Sequence, residues 1–524
     1  MQVFSLRAVL LSLPLLFAMV QANAMTVDLT QGVMGMGKMA AQRGPLDEAV
    51  ELIQSGKAAD AEKLARRVIK ESPQSAPAHE VLGIALALQN KVPQAIEALQ
   101  RSVKIDPDQY TAWTKLGDIA TAMGEEDKAF SFYQEATKIA PGDRLANQRI
   151  GLYLARHGAV EPAIVHLEKG VAGLAQTTPG LRVDLAHLYL RDGRPEQALE
   201  LLKPWDEANS GGKDVPAPAL VALGDAWLAS GDPAKAAARY RTVLARQEHA
   251  KDVPALLGLG RAQRAQQQWG DSIATLTQAS TIAPQDPAPA LELAVSEAAS
   301  GAGDAAQQRL DRLVEQKRKP GVDTLAAAAR LYAGMGAYDK ARDTFARAIA
   351  GQPGDPSLRA GMALVLLRQG DTKAALAQSR KRLELAPDDV DAAFMVGMLE
   401  EGAGDKRSAA TYYERVLKTS PEHWASLNNL ALLRLGEGRK DEALSLASRA
   451  GQSAPDNPTV LDTLAHIHEA SGDANGAARA RLRLGELYLN ENRAEDARKV
   501  LKKAAREATD AALRAQIEAR LENL

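Results

Sequence analysis

One pattern of large and small side chains recurs thirteen times in this chain, usually at a spacing of 34 residues. The clearest copy begins at Tyr110. Trp113, Leu116, Ala120 and Met123 fall on one helical stripe, and Ala129, Tyr133 and Ala136 on another. Between them Gly124 stands where the first helix must end, in the left-handed conformation that glycine takes at least cost. Pro141 closes the unit, because proline cannot continue a helix. A chain built this way folds as paired helices stacked in a row, each pair touching only its neighbours.

The same offsets hold through the chain. The turn position carries Gly56, Asn90, Gly124, Gly158, Gly193, Gly231, Gly301, Gly336, Gly370, Gly404, Gly438 and Gly472, and Gln267 alone departs from glycine or asparagine. Small residues, among them Gly83, Gly117, Gly151, Gly224, Gly260 and Gly397, share one place on the first helix. Alanines from Ala61 to Ala443 share one on the second, so two helices can approach closely. Repeats are expected to start near 42, 76, 110, 144, 179, 217, 253, 287, 322, 356, 390, 424 and 458. After that the phase jumps: Leu484, Gly485, Tyr488, Ala497, Leu501 and Ala504 read as a fresh copy beginning near 478, as though repeat thirteen had lost most of its second helix.

With its W–LG–A–A–Y–A–P spacing, the unit resembles the tetratricopeptide repeat (TPR), a helix–turn–helix of 34 residues. The resemblance implies an all-α TPR solenoid, a right-handed superhelix of about 13–14 repeats with first helices lining an inner groove. The solenoid is expected over 42–508, with a mild hinge near 205–216 where the connection is long and glycine-bearing, and a C-terminal capping helix over 509–524.

The start of the sequence reads differently. Arg7, the apolar run Ala8–Val20 and then Ala22–Asn23–Ala24 make a secretory signal peptide over 1–24, with cleavage after Ala24. Pro14 and the shortness of the run argue against a membrane span, so the mature protein is expected to be exported without a transmembrane anchor, and the resemblance in repeat style implies the periplasm as its address. Residues 25–41 are rich in Met and Gly and read as a flexible arm. Thioethers at Met25, Met34, Met36 and Met39 are soft enough for copper(I), but packing on the first repeat is the simpler role.

Composition removes several function classes. There is no cysteine, so disulfides, thiol catalysis, cysteine-bound zinc and an N-terminal lipid anchor are excluded. A net charge of −2 supplies no field for nucleic acid, and aromatics at 4% are sparse for stacking bases or sugars. The basic run Lys317–Arg318–Lys319 reads as a solvated loop. The eight histidines are scattered, and no catalytic, phosphate-binding or metal motif is present. Neither an enzyme nor a cofactor is expected.

Function is therefore sought on the groove wall. One wall position carries Asp118, His187, Asp225, Arg261 and Arg330 among apolar residues such as Leu364, Met398 and Leu432. Arg261 and Arg330, with Arg264 and Arg368, are expected to face an acidic ligand segment; Phe394, Met395 and Met398 are expected to anchor apolar groups. The repeated Asn and Lys of chaperone-tail binders and the asparagine ladder of glycosyltransferase-linked repeats are missing. Exported TPR proteins resemble scaffolds of envelope machines, and exopolysaccharide synthesis and export systems of the PEP-CTERM type are similar in style, although the lipobox cysteine common there is lacking. Polysaccharide or ligand binding in the groove is the alternative, and pilus or outer-membrane assembly a further one.

Overall fold

The computed structural model describes residues 44–172, 179–210, 214–315 and 320–524. The signal peptide, the Met/Gly arm, the Lys317–Arg318–Lys319 run and part of the 205–216 connection lie outside the described residues; 205–210 belong to the helix Pro195–Ser210. Among the described residues there are twenty-eight α-helices, one short 3-10 turn and no strand. They form two compact units, 44–306 and 307–524.

In the first unit the pairs run from Pro45–Gln54 with Ala58–Glu71 to the first helix Pro287–Ala299 of the eighth repeat. In the second they run from Val322–Gly334 with Tyr338–Gly351 to Pro458–Ala470 and beyond. First helices begin at Ala76, Tyr110 and Arg144, then at Pro356, Val390 and Trp424, at the expected repeat starts. Side chains of Asp143, Asp252, Asp286, Asp355 and Asp389 accept hydrogen bonds from backbone N–H groups in the first turn. Each such cap contributes about 1 kcal/mol. A turn carbonyl before each of four first helices takes a further bond from a side chain one turn in: Pro73 from His79, Pro107 from Trp113, Pro141 from Asn147 and Pro353 from Arg359.

Close packing of the two helices depends on the shared small residue. A Cβ added to Gly83 would sit 2.5 Å from Leu99, to Gly117 2.5 Å from Tyr133, and to Gly260 2.5 Å from Leu276. Leu99, Leu276 and Tyr240 are fully buried as a result.

The inter-helix turn takes a positive φ at every glycine of the series and at Asn90. Gln267 is no exception in shape, since its φ is 61°. Glutamine pays the Cβ clash that glycine avoids, about 1–2 kcal/mol. Gln267→Gly is therefore expected to raise stability by about 0.5–1 kcal/mol, less than the full relief because glycine also gains entropy when unfolded. A denaturant midpoint that does not rise would mean the turn is held by other contacts.

One expectation at the C-terminal end is corrected. Repeat thirteen keeps a second helix: Ala474–Asn490 is a single helix of 17 residues. Its start packs against Pro458–Ala470, and it also pairs with Ala494–Glu507. It thus serves as second helix of one repeat and first helix of the next. No proline or left-handed turn interrupts 474–490, so the backbone never reverses there; the next turn is at Asn492, φ 59°. Ala511–Glu522 then packs on Ala494–Glu507 through Leu513 and Ile517.

Candidate functional site

The wall position divides sharply between the two units. In residues 44–306 Val50, Ile84 and Val295 are buried, and the charged members are tied to neighbouring repeats. Asp118 is fully buried, which corrects the expectation that it faces a ligand. It accepts a hydrogen bond from the Tyr133 hydroxyl at 3.0 Å, with Lys115 and Arg149 each 3.4 Å away. Burial, then the Asp118 carboxylate, push the Tyr133 phenol far above its ordinary value.

Asp225 repeats this arrangement. The Tyr240 hydroxyl donates to it at 2.6 Å, and His187 Nε2 lies 3.8 Å from its other oxygen. Burial opposes a charge on His187, but the Asp225 carboxylate more than offsets it, so the imidazole titrates above its usual value. Its contribution to stability is present below the unfolded value of about 6.5 and is lost as pH rises through the folded value. NMR titration is expected to place His187 above 6.5, and Asp225→Asn to bring it down; an unmoved imidazole would refute the pairing.

Arg261 and Arg264 are also committed within the fold. Arg261 Nε donates to Glu292 Oε1 at 2.7 Å and Arg264 Nη2 to Oε2 at 2.9 Å, while Arg264 Nη1 reaches Ser296 Oγ at 3.1 Å. Glu292 is 4% exposed. Burial opposes its charge, but the two guanidinium groups hold its carboxyl below the ordinary range. These arginines face an acidic group of the next repeat, which corrects their assignment to an external ligand.

In residues 307–524 the same position is open. Leu364 is 56% exposed, Met398 40% and Leu432 37%, one on each of three successive first helices, and His466 follows in the next. Arg330 is half-buried and Arg368 exposed, and neither has a hydrogen bond or ion pair among the described residues. A small cleft of about 180 Å³ opens beside Leu364, lined by Ala360, Ala363, Ser379, Arg382, Asp391 and Met395. Phe394 does not stand free: its ring packs 4.9 Å from His423, edge to face, and 5.8 Å from Tyr413. It is a packing residue between repeats rather than an open anchor, a further correction.

Of the residues singled out from sequence, Arg330, Arg368 and Met398 remain open on one wall, joined by Leu364 and Leu432. Sequence reading missed Glu292 and the tyrosine partners. The signal was there: an acidic wall residue followed 15 positions later by tyrosine, Asp118 with Tyr133 and Asp225 with Tyr240. Among the described residues no group of three or more His, Asp or Glu side chains could hold a metal ion, and no helix is long and apolar enough to cross a membrane.

The sequence profile of the tetratricopeptide repeat matches residues 46–110, 89–144, 221–287, 326–393 and 394–458. The chain belongs to the tetratricopeptide repeat family. Further profiles of the same description match 179–204, 263–331 and 478–510 of this TPR protein. Among curated proteins it is similar to the mouse protein O-mannosyl-transferase TMTC1, 32% identical over 68 residues, covering 13% of this chain and 7% of that one. Among solved structures, the human IFIT1 dimer with PPP-AAAA is 15% identical, with a TM-score of 0.39 and coverage of 69% of this chain and 90% of that chain. The APC/C hetero-tetramer Cut9–Hcn1 is 13% identical, TM-score 0.32, over 85% and 96%.

Proposed function

We propose that this TPR protein is an exported, non-catalytic scaffold that holds a protein partner on the open wall of residues 322–470, within an envelope assembly or exopolysaccharide synthesis and export machine. The observation that carries the binding reading is the row Leu364, Met398 and Leu432. Three large apolar side chains stay exposed at the position where Val50, Ile84 and Val295 are buried and Asp118, Asp225 and Arg261 are paired within the fold. Apolar groups in register on neighbouring helices suit an extended partner, and no reacting group is needed. The export reading rests on Arg7, the apolar run Ala8–Val20 and Ala22–Asn23–Ala24.

A photo-crosslinking residue at Met398 in intact cells tests the scaffold. An adduct with an envelope protein is expected from Met398 and not from Thr411, an exposed position on a second helix. Equal adducts from both sites would sink the reading. Met398→Asp places a charge in the middle of the apolar row and is expected to weaken capture at least tenfold, or about 1.4 kcal/mol. N-terminal sequencing of the mature protein checks the address: it should begin at Met25.

A further inference from the structure

We propose that His423 makes this wall acid-sensitive: its neutral ring caps the helix that carries Leu432, and a proton on the ring releases the cap and weakens the hold on a partner. The claim on the partner rests on the binding reading above; the cap stands on geometry. Other first helices of the same unit, beginning at Pro356, Val390 and Pro458, open on oxygen caps, Asp355, Asp389 and Asn457. At Trp424–Gly436 the cap is an imidazole. Its Nδ1 accepts the backbone N–H of Ser426 at 3.2 Å. A backbone amide can only donate, so Nδ1 carries a lone pair and the ring proton sits on Nε2.

Oxygen caps keep their lone pairs between about pH 5 and 8, whereas a protonated imidazole is a donor at both nitrogens. The Ser426 hydroxyl, 3.0 Å from Nδ1, then receives the ring's bond and the amide loses its own. Ser426 is fully buried, so water does not replace the cap. The ring also stands at a seam of the wall. It packs edge to face, 4.9 Å away, on Phe394 of Val390–Gly402, the helix that carries Met398. Loss of the cap frees the first turn of one wall helix from the other, and the spacing of Leu432 and Met398 is no longer fixed at that end.

Charged and titratable groups surround the ring on several elements. Asp391 lies on Val390–Gly402, Tyr413 and Lys418 on Lys406–Thr419, and Glu422 in the turn before the ring. Arg449 of Lys440–Ser453 donates to the Pro421 carbonyl. Burial opposes a charge on the imidazole more strongly than Asp391 favours it, so His423 titrates below its usual value. The cap's contribution is therefore present above the unfolded value of about 6.5 and is lost as pH falls through the folded value. His187 runs in the opposite sense, so melting of the whole protein mixes the two and the readout must be local.

NMR of the full-length protein between about pH 8 and 5 tests the cap, and photo-crosslinking from Met398 in permeabilised cells at those two ends tests its consequence. The Ser426 amide and the His423 ring are expected to shift with one midpoint, below about 6.5, and the adduct yield to fall roughly fivefold at the acid end. His423→Asn supplies the cap that the next repeat uses at Asn457, without a titrating ring. Its Ser426 amide should not move, and its adduct should persist in acid. Each variant is compared with itself across pH, so a loss of stability common to both ends does not enter. A Ser426 amide indifferent to the ring's titration would overturn the cap and leave the scaffold standing. A titrating amide with equal adduct at both ends, or an equal fall in His423→Asn, would overturn the acid-sensitive wall. No adduct at either end would sink the scaffold reading and the acid-sensitive wall together, and the amide alone then decides the cap.

Discussion

Arg261→Met combined with Arg264→Met is expected to cost about 3–5 kcal/mol of local stability, because it strands the Glu292 carboxylate without a cation. Glu292 is the most enclosed member, with a side chain 5% exposed against 18% and 16% for the two arginines. Removing both cations leaves burial as the dominant influence, so the carboxyl should move from below its ordinary value to above it. The pH dependence should then reverse. In the native protein the lowered Glu292 contributes stability that is present above the unfolded value of about 4.3 and is lost as pH falls through the folded value. In the double variant stability should instead be regained as pH falls. Adding Glu292→Leu should recover most of the loss, since replacing a whole buried triad by apolar groups is near neutral. Hydrogen exchange in Val253–Ala265 and Pro287–Ala299 reads the effect locally, which matters in a stack where repeats open one by one. A double variant as protected as the native protein would show that Glu292 is already solvated.

The helix starts at Ala76, Tyr110, Val390 and Trp424 were legible because each rests on local signals: a proline or capping residue before it and a left-handed turn after it. The merged helix Ala474–Asn490 was misread for the complementary reason. Its core pattern shifts phase without a breaker, and a pattern alone cannot say whether the backbone has turned between two faces. Gln267 looked like a departure and adopts the common turn, because the stacked helices on either side dictate the backbone there and glutamine bears the strain.

The wall position was legible as a position, but which of its residues are free was not. Arg261 finds Glu292 31 residues on, in the next repeat, and His187 finds Asp225 38 residues on. Such pairs depend on how one repeat seats on another, which periodicity does not encode. Exposure at Leu364, Met398 and Leu432 has the same origin: the identical offset is buried at Ile84 and Val295, where neighbouring side chains reach across it. Charge at Asp118, Arg261 and Arg264 therefore pointed to recognition where the structure has internal pairs, and Phe394 to an open anchor where the ring packs on His423. Leu364 and Leu432 were not singled out, although they stand exposed.

Tyr240→Ala is expected to cost about 3–5 kcal/mol, as for other fully buried aromatics. Two glycines hold the ring: a Cβ added to Gly224 would lie 2.5 Å from it and one added to Gly258 2.3 Å. Tyr240→Phe keeps the packing and removes only the hydroxyl bond to Asp225, so it should cost about 1.5–3 kcal/mol, the usual value for a bond to a charged group. Gly258 supplies the sharper test. In the native protein Gly258→Ala forces the ring aside and should destabilise by about 1–3 kcal/mol. All three nearest neighbours of that Cβ are atoms of Tyr240, so in the Tyr240→Ala background the clash disappears. What remains is the helix preference for alanine over glycine, about 1 kcal/mol in its favour. The same substitution should thus change sign between the two backgrounds. A double-mutant cycle by chemical denaturation, following this unit, measures the coupling. Additive effects would mean that the helices, and not the ring, set their separation.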